Sequence, residues 1–247
     1  MEVYLDNAAT TRVCPEAADI AYKTMLETYG NPSSTHAKGR EAKAVLDNAR
    51  KQLAAALDCS PSEVYFTSCG SEGDNWAIIN GAESMRRKGL HIISSEVEHD
   101  AVRKSMDELK RRGFEVTMLK PESDGSISPE AVIAALRPDT VLVSLMMVNN
   151  ETGAVYDIPL VRGYIEKSGC GALLHCDAVQ GFLKVPFTAA SLGADLITVS
   201  GHKIHAPKGV GALYIKPALV RSHAISPYLI GGGQEAGVRS GTENMVG

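Results

Sequence analysis

Seven short apolar runs punctuate the chain: EVYFT (63–67), LHIIS (90–94), EVTML (115–119), VLVSLMMV (141–148), ALLHC (172–176), DLITV (195–199) and GALYI (211–215). Each has the length of a strand, and several are too continuously apolar to leave one face in water, which predicts a sheet covered on both sides. Helical patterns lie between them. Ala42, Val45, Ala49, Leu53 and Leu57 share one helical face, and Ser128-Pro129 reads as an N-cap followed by proline at the first helical position. Strands alternating with helices predict an α/β domain built on a largely parallel sheet. A chain of 247 residues, 44% of them hydrophobic, suffices for one substantial core. GNPSS (30–34) and PESDGS (121–126) read as turns within that domain, and the residues before Pro15 as an arm outside the sheet.

Charge and cysteine usage exclude several classes of function. The net charge is -4 with both signs interspersed, so there is no basic stripe to neutralise a phosphate backbone, and no nucleic-acid partner is expected. The N-terminus lacks a basic region followed by an apolar core, and no segment approaches the ~18 consecutive apolar residues of a membrane span, so a cytoplasmic location is expected. The five cysteines, at 14, 59, 69, 170 and 176, form no C-x-x-C pair. They are expected to be reduced and structural. His202 and His205 make an H-x-x-H pattern without further ligands, and no metal site is expected.

In an open α/β sheet, ligands bind beyond the carboxyl ends of the strands. SCGSEGDN (68–75) follows the first run as a glycine turn opening a helix, where backbone N–H groups and the Ser71 hydroxyl would suit a phosphate. Asp177 and Gln180 follow ALLHC; Ser200, His202 and Lys203 follow DLITV; His99 and Asn149 stand after two other runs. Taken singly, each has an ordinary role: a turn, a cap, a solvated lysine. Together they are the parts needed to hold pyridoxal phosphate. A lysine condenses with its aldehyde, and an aspartate keeps its pyridine nitrogen protonated so that the ring acts as an electron sink.

The stretches YLDNAATT (4–11), YGNPSSTHAKGREA (29–42), FTSCGSEGDN (66–75), EHDAV (98–102), NNETG (149–153), HCDAVQ (175–180), SGHKIHAPKGVGALY (200–214) and GGGQEAGVRSGTEN (231–244) together resemble the NifS/IscS-like cysteine desulfurases of the class V aminotransferase group. The resemblance implies the large domain of a fold-type I pyridoxal phosphate enzyme, with residues 1–14 as an N-terminal arm belonging to a small domain and 15–247 as the cofactor-binding domain. It implies a cytoplasmic homodimer that takes sulfur from L-cysteine, leaves alanine, and passes an enzyme persulfide to an acceptor or scaffold protein for iron–sulfur cluster assembly or tRNA thiolation. On the matching positions, Lys203 would be the Schiff-base lysine, Asp177 the partner of the pyridine nitrogen, and His99 the residue stacked on the ring. Gln180 would meet the ring hydroxyl, and Asn149 would sit beside ring and substrate. Gly70, Ser71, Ser200 and His202 would hold the phosphate, joined by Thr242 of the neighbouring subunit.

The sequence departs from the family pattern at Ser71, where threonine is usual, at Cys69, where glycine or alanine is usual, and at Ala206, where glycine is frequent. The family also continues past RSGTEN into a region carrying a mobile catalytic cysteine and a carboxylate-binding arginine. The chain is therefore expected to be a fragment, with the small domain largely missing and no capacity for sulfur release. None of the five cysteines is expected to substitute. A selenocysteine lyase, another class V enzyme and a non-catalytic cofactor-binding module are the alternatives.

Overall fold

The computed structural model describes residues 3–222 and 224–247. An extended arm, residues 3–14, leads into helices α1 (Pro15–Leu26) and α2 (Ala37–Leu57). Strand β1 (Val64–Thr67) is followed by α3 (Gly70–Asn75), which runs through a π turn at Trp76–Asn80 into α4 (Gly81–Met85), so that 70–85 is one continuous helical rod. The chain then continues through β2 (His91–Ser95), α5 (Asp100–Arg111), β3 (Glu115–Leu119), α6 (Pro129–Ala135), β4 (Thr140–Met146), α7 (Ile158–Ser168), β5 (Leu173–Asp177), α8 (Ala189–Leu192), β6 (Leu196–Ser200), β7 (Gly211–Ile215) and α9 (Pro217–Arg221). Each apolar run became a strand, with ends displaced by at most two residues. The Ser128 hydroxyl accepts from Ala131 N–H at 3.1 Å, with Pro129 opening α6 as expected.

One seven-stranded sheet results, in the order β1-β7-β6-β5-β4-β2-β3. Strands β3, β2, β4, β5 and β6 are parallel, whereas β7 runs antiparallel to both β6 and β1. The tight connection from β6 to β7 leaves no room for a crossover helix, and a parallel neighbour would need one. Strands β2, β4, β5, β6 and β7 are buried along their whole length. Successive residues feed opposite faces, as the pleat requires. Ile92, Leu142 and Leu173 pack under α4 and α5, while Ile93, Val143, Leu174 and Ile197 pack under α2, α6, α7 and α8.

Helix α2 differs from the sequence expectation. Ala42 and Leu57 are buried, but Val45 and Ala49 are exposed and border a groove against residues 242–247. The buried stripe shifts to Ala54, because α2 touches β1 through its C-terminal half.

The edge strand β1 is protected by a carboxylate. Glu235, 6% exposed, accepts from the Phe66 N–H at 2.9 Å and from both terminal nitrogens of Arg50 at 2.7 and 2.8 Å; Arg50 also donates to Val64 O and lies over the Phe66 ring. Removing one member of a buried ion pair strands the other charge, at a cost of about 3–5 kcal/mol. Arg50→Ala should therefore lower the urea midpoint of unfolding strongly, whereas loss of an exposed pair, as in Lys43→Ala, should leave it nearly unchanged. Equal midpoints for the two variants would contradict this role.

Candidate functional site

The carboxyl ends of β4, β5 and β6 open into one cavity of about 480 Å³. Residues 173, 175 and 177 alternate onto the same face of β5, and 196, 198 and 200 onto the same face of β6, so His175, Asp177, Thr198 and Ser200 share one wall. The helical rod 70–85 packs on that wall. Its approach requires glycine: a Cβ at Gly70 would lie 2.9 Å from Val179 Cγ2 and 3.5 Å from Ser200 Cβ, and one at Gly73 would lie 2.7 Å from Thr198 Cγ2.

Eight of the ten residues singled out from the sequence line this cavity: Gly70, Ser71, His99, Asp177, Gln180, Ser200, His202 and Lys203. Asn149 lies just outside. Its amide donates to Val97 O at 3.0 Å, and its oxygen accepts from the N–H groups of Glu151 and Thr152 at 2.9 Å, so the side chain ties its own loop while Asn150 faces the cavity. Thr242 borders the separate groove beside Val45 and Phe66.

Each cavity residue is held by its local structure. His99 caps α5, its Nδ1 accepting from Ala101 N–H at 3.1 Å, which fixes the ring at the cavity edge. Asp177 receives the Val179 N–H at 2.9 Å in an Asx turn that ends β5. Lys203 sits in the turn after β6 and is clasped by the N-terminal arm: its Nζ donates to the backbone oxygens of Ala8 and Ala9. Further bonds join arm and turn, with Thr11 N donating to His202 O at 2.8 Å and His205 N to Thr11 Oγ1 at 2.8 Å. Gln180 also donates to Ala8 O, at 2.8 Å.

Burial sets the electrostatics. It raises the Asp177 carboxyl, opposed by the Val179 N–H and by the charges of His99 and Lys203. It lowers the Lys203 ammonium, helped by Lys184, with Asp177 and Asp6 pulling the other way. A lysine whose pKa is lowered presents more free amine at neutral pH and is a better nucleophile. His202 is lowered by burial and by Lys203, Lys208, His99 and Lys184. The Ser200 hydroxyl is buried without a partner.

Sequence reasoning missed three participants. Asp74, on the rod one turn after Gly70, lines the cavity and is 1% exposed. Its signal was a carboxyl among small residues at helical spacing, Gly70, Gly73 and Ala77. Glu98 is 4% exposed and accepts from Ser95 Oγ and Met146 N–H. The arm carbonyls of Ala8 and Ala9 left no signal, because any residue supplies a carbonyl. Among the described residues, no group of His, Cys, Asp or Glu is arranged to hold a metal ion, and no helix is long and apolar enough to cross a membrane.

Burial pushes Glu98 from its ordinary 4.5 up to about 8. The folded chain therefore holds a proton there that the unfolded chain releases above 4.5, so this residue's contribution to stability falls as pH rises from 4.5 to 8. Glu98→Gln should remove that slope. Urea midpoints of wild type and variant measured across the window should diverge, and parallel curves would refute the assignment.

Comparison with known proteins places this geometry. Residues 3–246 match the family model described as aminotransferase class-V. A cysteine desulfurase of Nostoc sp. (strain PCC 7120 / SAG 25.82 / UTEX 2576) is 43% identical over 245 residues, covering 99% of this chain and 60% of that protein. Thus the chain spans about 60% of the length of the curated relatives it matches. Among solved structures, a NifS-like protein superimposes with a TM-score of 0.96 at 40% identity, covering 100% of this chain and 67% of that one. A structure described as SspA in complex with cysteine gives 0.92 at 35% identity, covering 99% of this chain and 70% of that one. The sheet order, the cavity at its strand ends and the matched length agree: the chain belongs to the class V aminotransferase family.

Proposed function

We propose that this chain carries the cofactor-binding site of a pyridoxal phosphate-dependent cysteine desulfurase. The observation that carries the reading is that a lysine, a strand-end aspartate and an unpartnered buried hydroxyl converge on one cavity of about 480 Å³, a size suited to a single small cofactor. The residues fit that group. Gly70 lets the rod close on Val179 and Ser200, the free N–H groups of the rod's first turn open onto the cavity there, and the Ser200 hydroxyl lacks any other partner. Together with Ser71 and His202 they suit a phosphate, with Thr242 of the partner subunit completing the set in a homodimer. When bound, pyridoxal phosphate supplies an aldehyde for amines and a ring that stabilises negative charge at the substrate Cα.

The chain's own groups then have defined tasks. Lys203 supplies the amine, its Nζ leaving the Ala8 and Ala9 oxygens, and moves the proton at the substrate Cα. Asp177 stays anionic to hold the proton on the pyridine nitrogen. His99 would stand at the ring face, Gln180 would meet the ring hydroxyl, and Asn149 would act through its loop by presenting Asn150 to the cavity. In this reading residues 15–247 form the cofactor-binding domain, and residues 1–14 the arm of a smaller one.

L-Cysteine as substrate is supported by the names of the curated relatives and by the cysteine complex of the SspA structure. Release of its sulfur requires a thiolate delivered to the substrate. Cys176 is buried in β5, and Cys14, Cys59 and Cys170 do not line the cavity. Cys69 does line it, but on the turn that opens the glycine-packed rod. A well-oriented intramolecular nucleophile contributes roughly 7–11 kcal/mol to such a step, and this fixed turn does not provide one.

Two experiments test the reading. Borohydride reduction of the protein with pyridoxal phosphate, followed by peptide mapping, should place the pyridoxyl label on Lys203; a label on Lys208 or Lys184 would refute it. The polypeptide of residues 1–247, given pyridoxal phosphate, L-cysteine and dithiothreitol, should bind the cofactor yet show no multiple-turnover sulfide release. Sustained turnover that disappears in Cys69→Ser would reverse the view of Cys69.

A further inference from the structure

Behind the Lys203 and Asp177 side of the cavity lies a buried polar cluster that the proposed chemistry leaves unused. Asp74 projects from the rod 70–85 onto the sheet wall, 1% exposed, and its Oδ1 has no hydrogen-bond partner. The nearest basic atom is His175 Nε2 at 3.6 Å, but His175 is not a counter-ion. Its Nδ1 is paired with Ser144 Oγ at 2.9 Å and its Nε2 with Thr198 Oγ1 at 3.0 Å; fully buried, the ring is pushed down to about 3 and is neutral. The other groups facing Asp74 are the carboxyls of Asp177 and Glu98, the Cys69 thiol and the Thr198 hydroxyl. Among the described residues, no lysine or arginine pairs with it.

Asp74 and Asp177 line the same cavity, Glu98 is buried beyond it, and the three carboxyls are not equivalent. Asp177 has His99 and Lys203 beside it, the Val179 N–H on one oxygen, and the cavity ahead. Glu98 has a hydroxyl and an N–H donor but, among the described residues, no lysine or arginine paired with it. Asp74 has acidic neighbours and an uncharged imidazole. Like charges at close range in a low dielectric do not ionise together, so the group with cations beside it takes the charge and the others keep their protons.

We propose that Asp74 is a positioning residue that acts through Asp177: it remains a neutral carboxylic acid against the His175–Thr198 pair, leaving Asp177 as the single anion on the wall that faces the ring nitrogen. This rests on the pyridoxal phosphate reading of the cavity. An ionised Asp74 would compete with Asp177 for the proton of the ring nitrogen and would leave two negative charges facing one positive one. Its neutrality defines the charge that the ring meets, a task distinct from filling space on the rod.

The test reads protonation directly. Infrared spectra of the purified protein without cofactor at neutral pH, compared as wild type minus variant, should show the carbonyl stretch of a protonated carboxyl that disappears in Asp74→Asn and persists in Glu98→Gln. If Asp74→Asn does not fold, Asp74→Glu should displace the same signal and so assign it. In Asp177→Asn, which removes the neighbouring charge, the Asp74 signal should titrate at lower pH by about one unit or more. The visible absorption of the cofactor complex should keep its wild-type pH midpoint in Asp74→Asn, because one neutral group replaces another. Absence of the signal at neutral pH, titration indifferent to Asp177→Asn, or a displaced visible midpoint in Asp74→Asn would each overturn the proposal. The infrared arms need no cofactor. Failure of pyridoxal phosphate to bind at all would therefore defeat the functional reading while still reporting the protonation of Asp74.

Discussion

The site depends on how closely the rod 70–85 approaches strands β5 and β6. A helix of ordinary side chains rests on a sheet at a distance set by those side chains, and polar groups at the strand ends would then stand apart across a solvated gap. Here Gly70 and Gly73 bring the rod's backbone against Val179, Ser200 and Thr198, and Ala77 continues the same narrow face. The close approach buries the Ser200 hydroxyl, places the free N–H groups of the rod's first turn beside it, and seals Asp74 against His175. The unpartnered Ser200 hydroxyl beside the rod's first N–H groups and the buried Asp74 carboxyl are therefore two consequences of one packing contact. The π turn at Trp76–Asn80 falls where the rod passes from this polar end to its apolar half over Leu142, Leu173 and Leu196. A shift of phase there lets both halves present their small residues to the sheet.

Much of this arrangement was legible in the sequence. Continuous burial on two faces leaves few options for ALLHC or VLVSLMMV other than interior strands, and polar residues at the ends of such strands have to face a ligand, a cap or water. That logic singles out Asp177, Ser200 and Lys203, and the structure brings all three to one cavity. The period of two also separates the two cores correctly, Ile92 from Ile93 and Leu173 from Leu174. The antiparallel insertion of β7 was less legible. Its signal was only the shortness of the segment between DLITV and GALYI, which has no length for a crossover helix.

What sequence reasoning did not reach has a common physical origin. Val45 and Ala49 satisfy the helical period on α2, yet the structure leaves them exposed, because periodicity identifies a face without saying what covers it. Asn149 stands at a strand end as the argument required, but its amide closes its own loop and hands the cavity to Asn150. Asp74 was passed over because a carboxyl early in a helix is ordinarily a favourable partner for the helix dipole. Only the neighbouring glycines marked that position as facing inward.

The arm over Lys203 shows the same limit at the level of the backbone. Its contacts with the lysine turn are mostly peptide groups: Thr11 N to His202 O, Cys14 N to His205 O, and the oxygens of Ala8 and Ala9 to Lys203 Nζ. With the Thr10 and Thr11 hydroxyls they order the turn, and they place two carbonyl dipoles on an ammonium that burial would otherwise drive toward neutrality. Carbonyl oxygens favour the charged amine, while desolvation and Lys184 favour the free base. The arm's carbonyls and the burial of the lysine thus act in opposite directions on the same ammonium. A covalent bond formed at Nζ with an aldehyde would leave at most one N–H donor there, so the Ala8 and Ala9 oxygens could not both keep their partner. The arm and the lysine therefore share one local equilibrium, although 194 residues separate Ala9 from Lys203 in the chain.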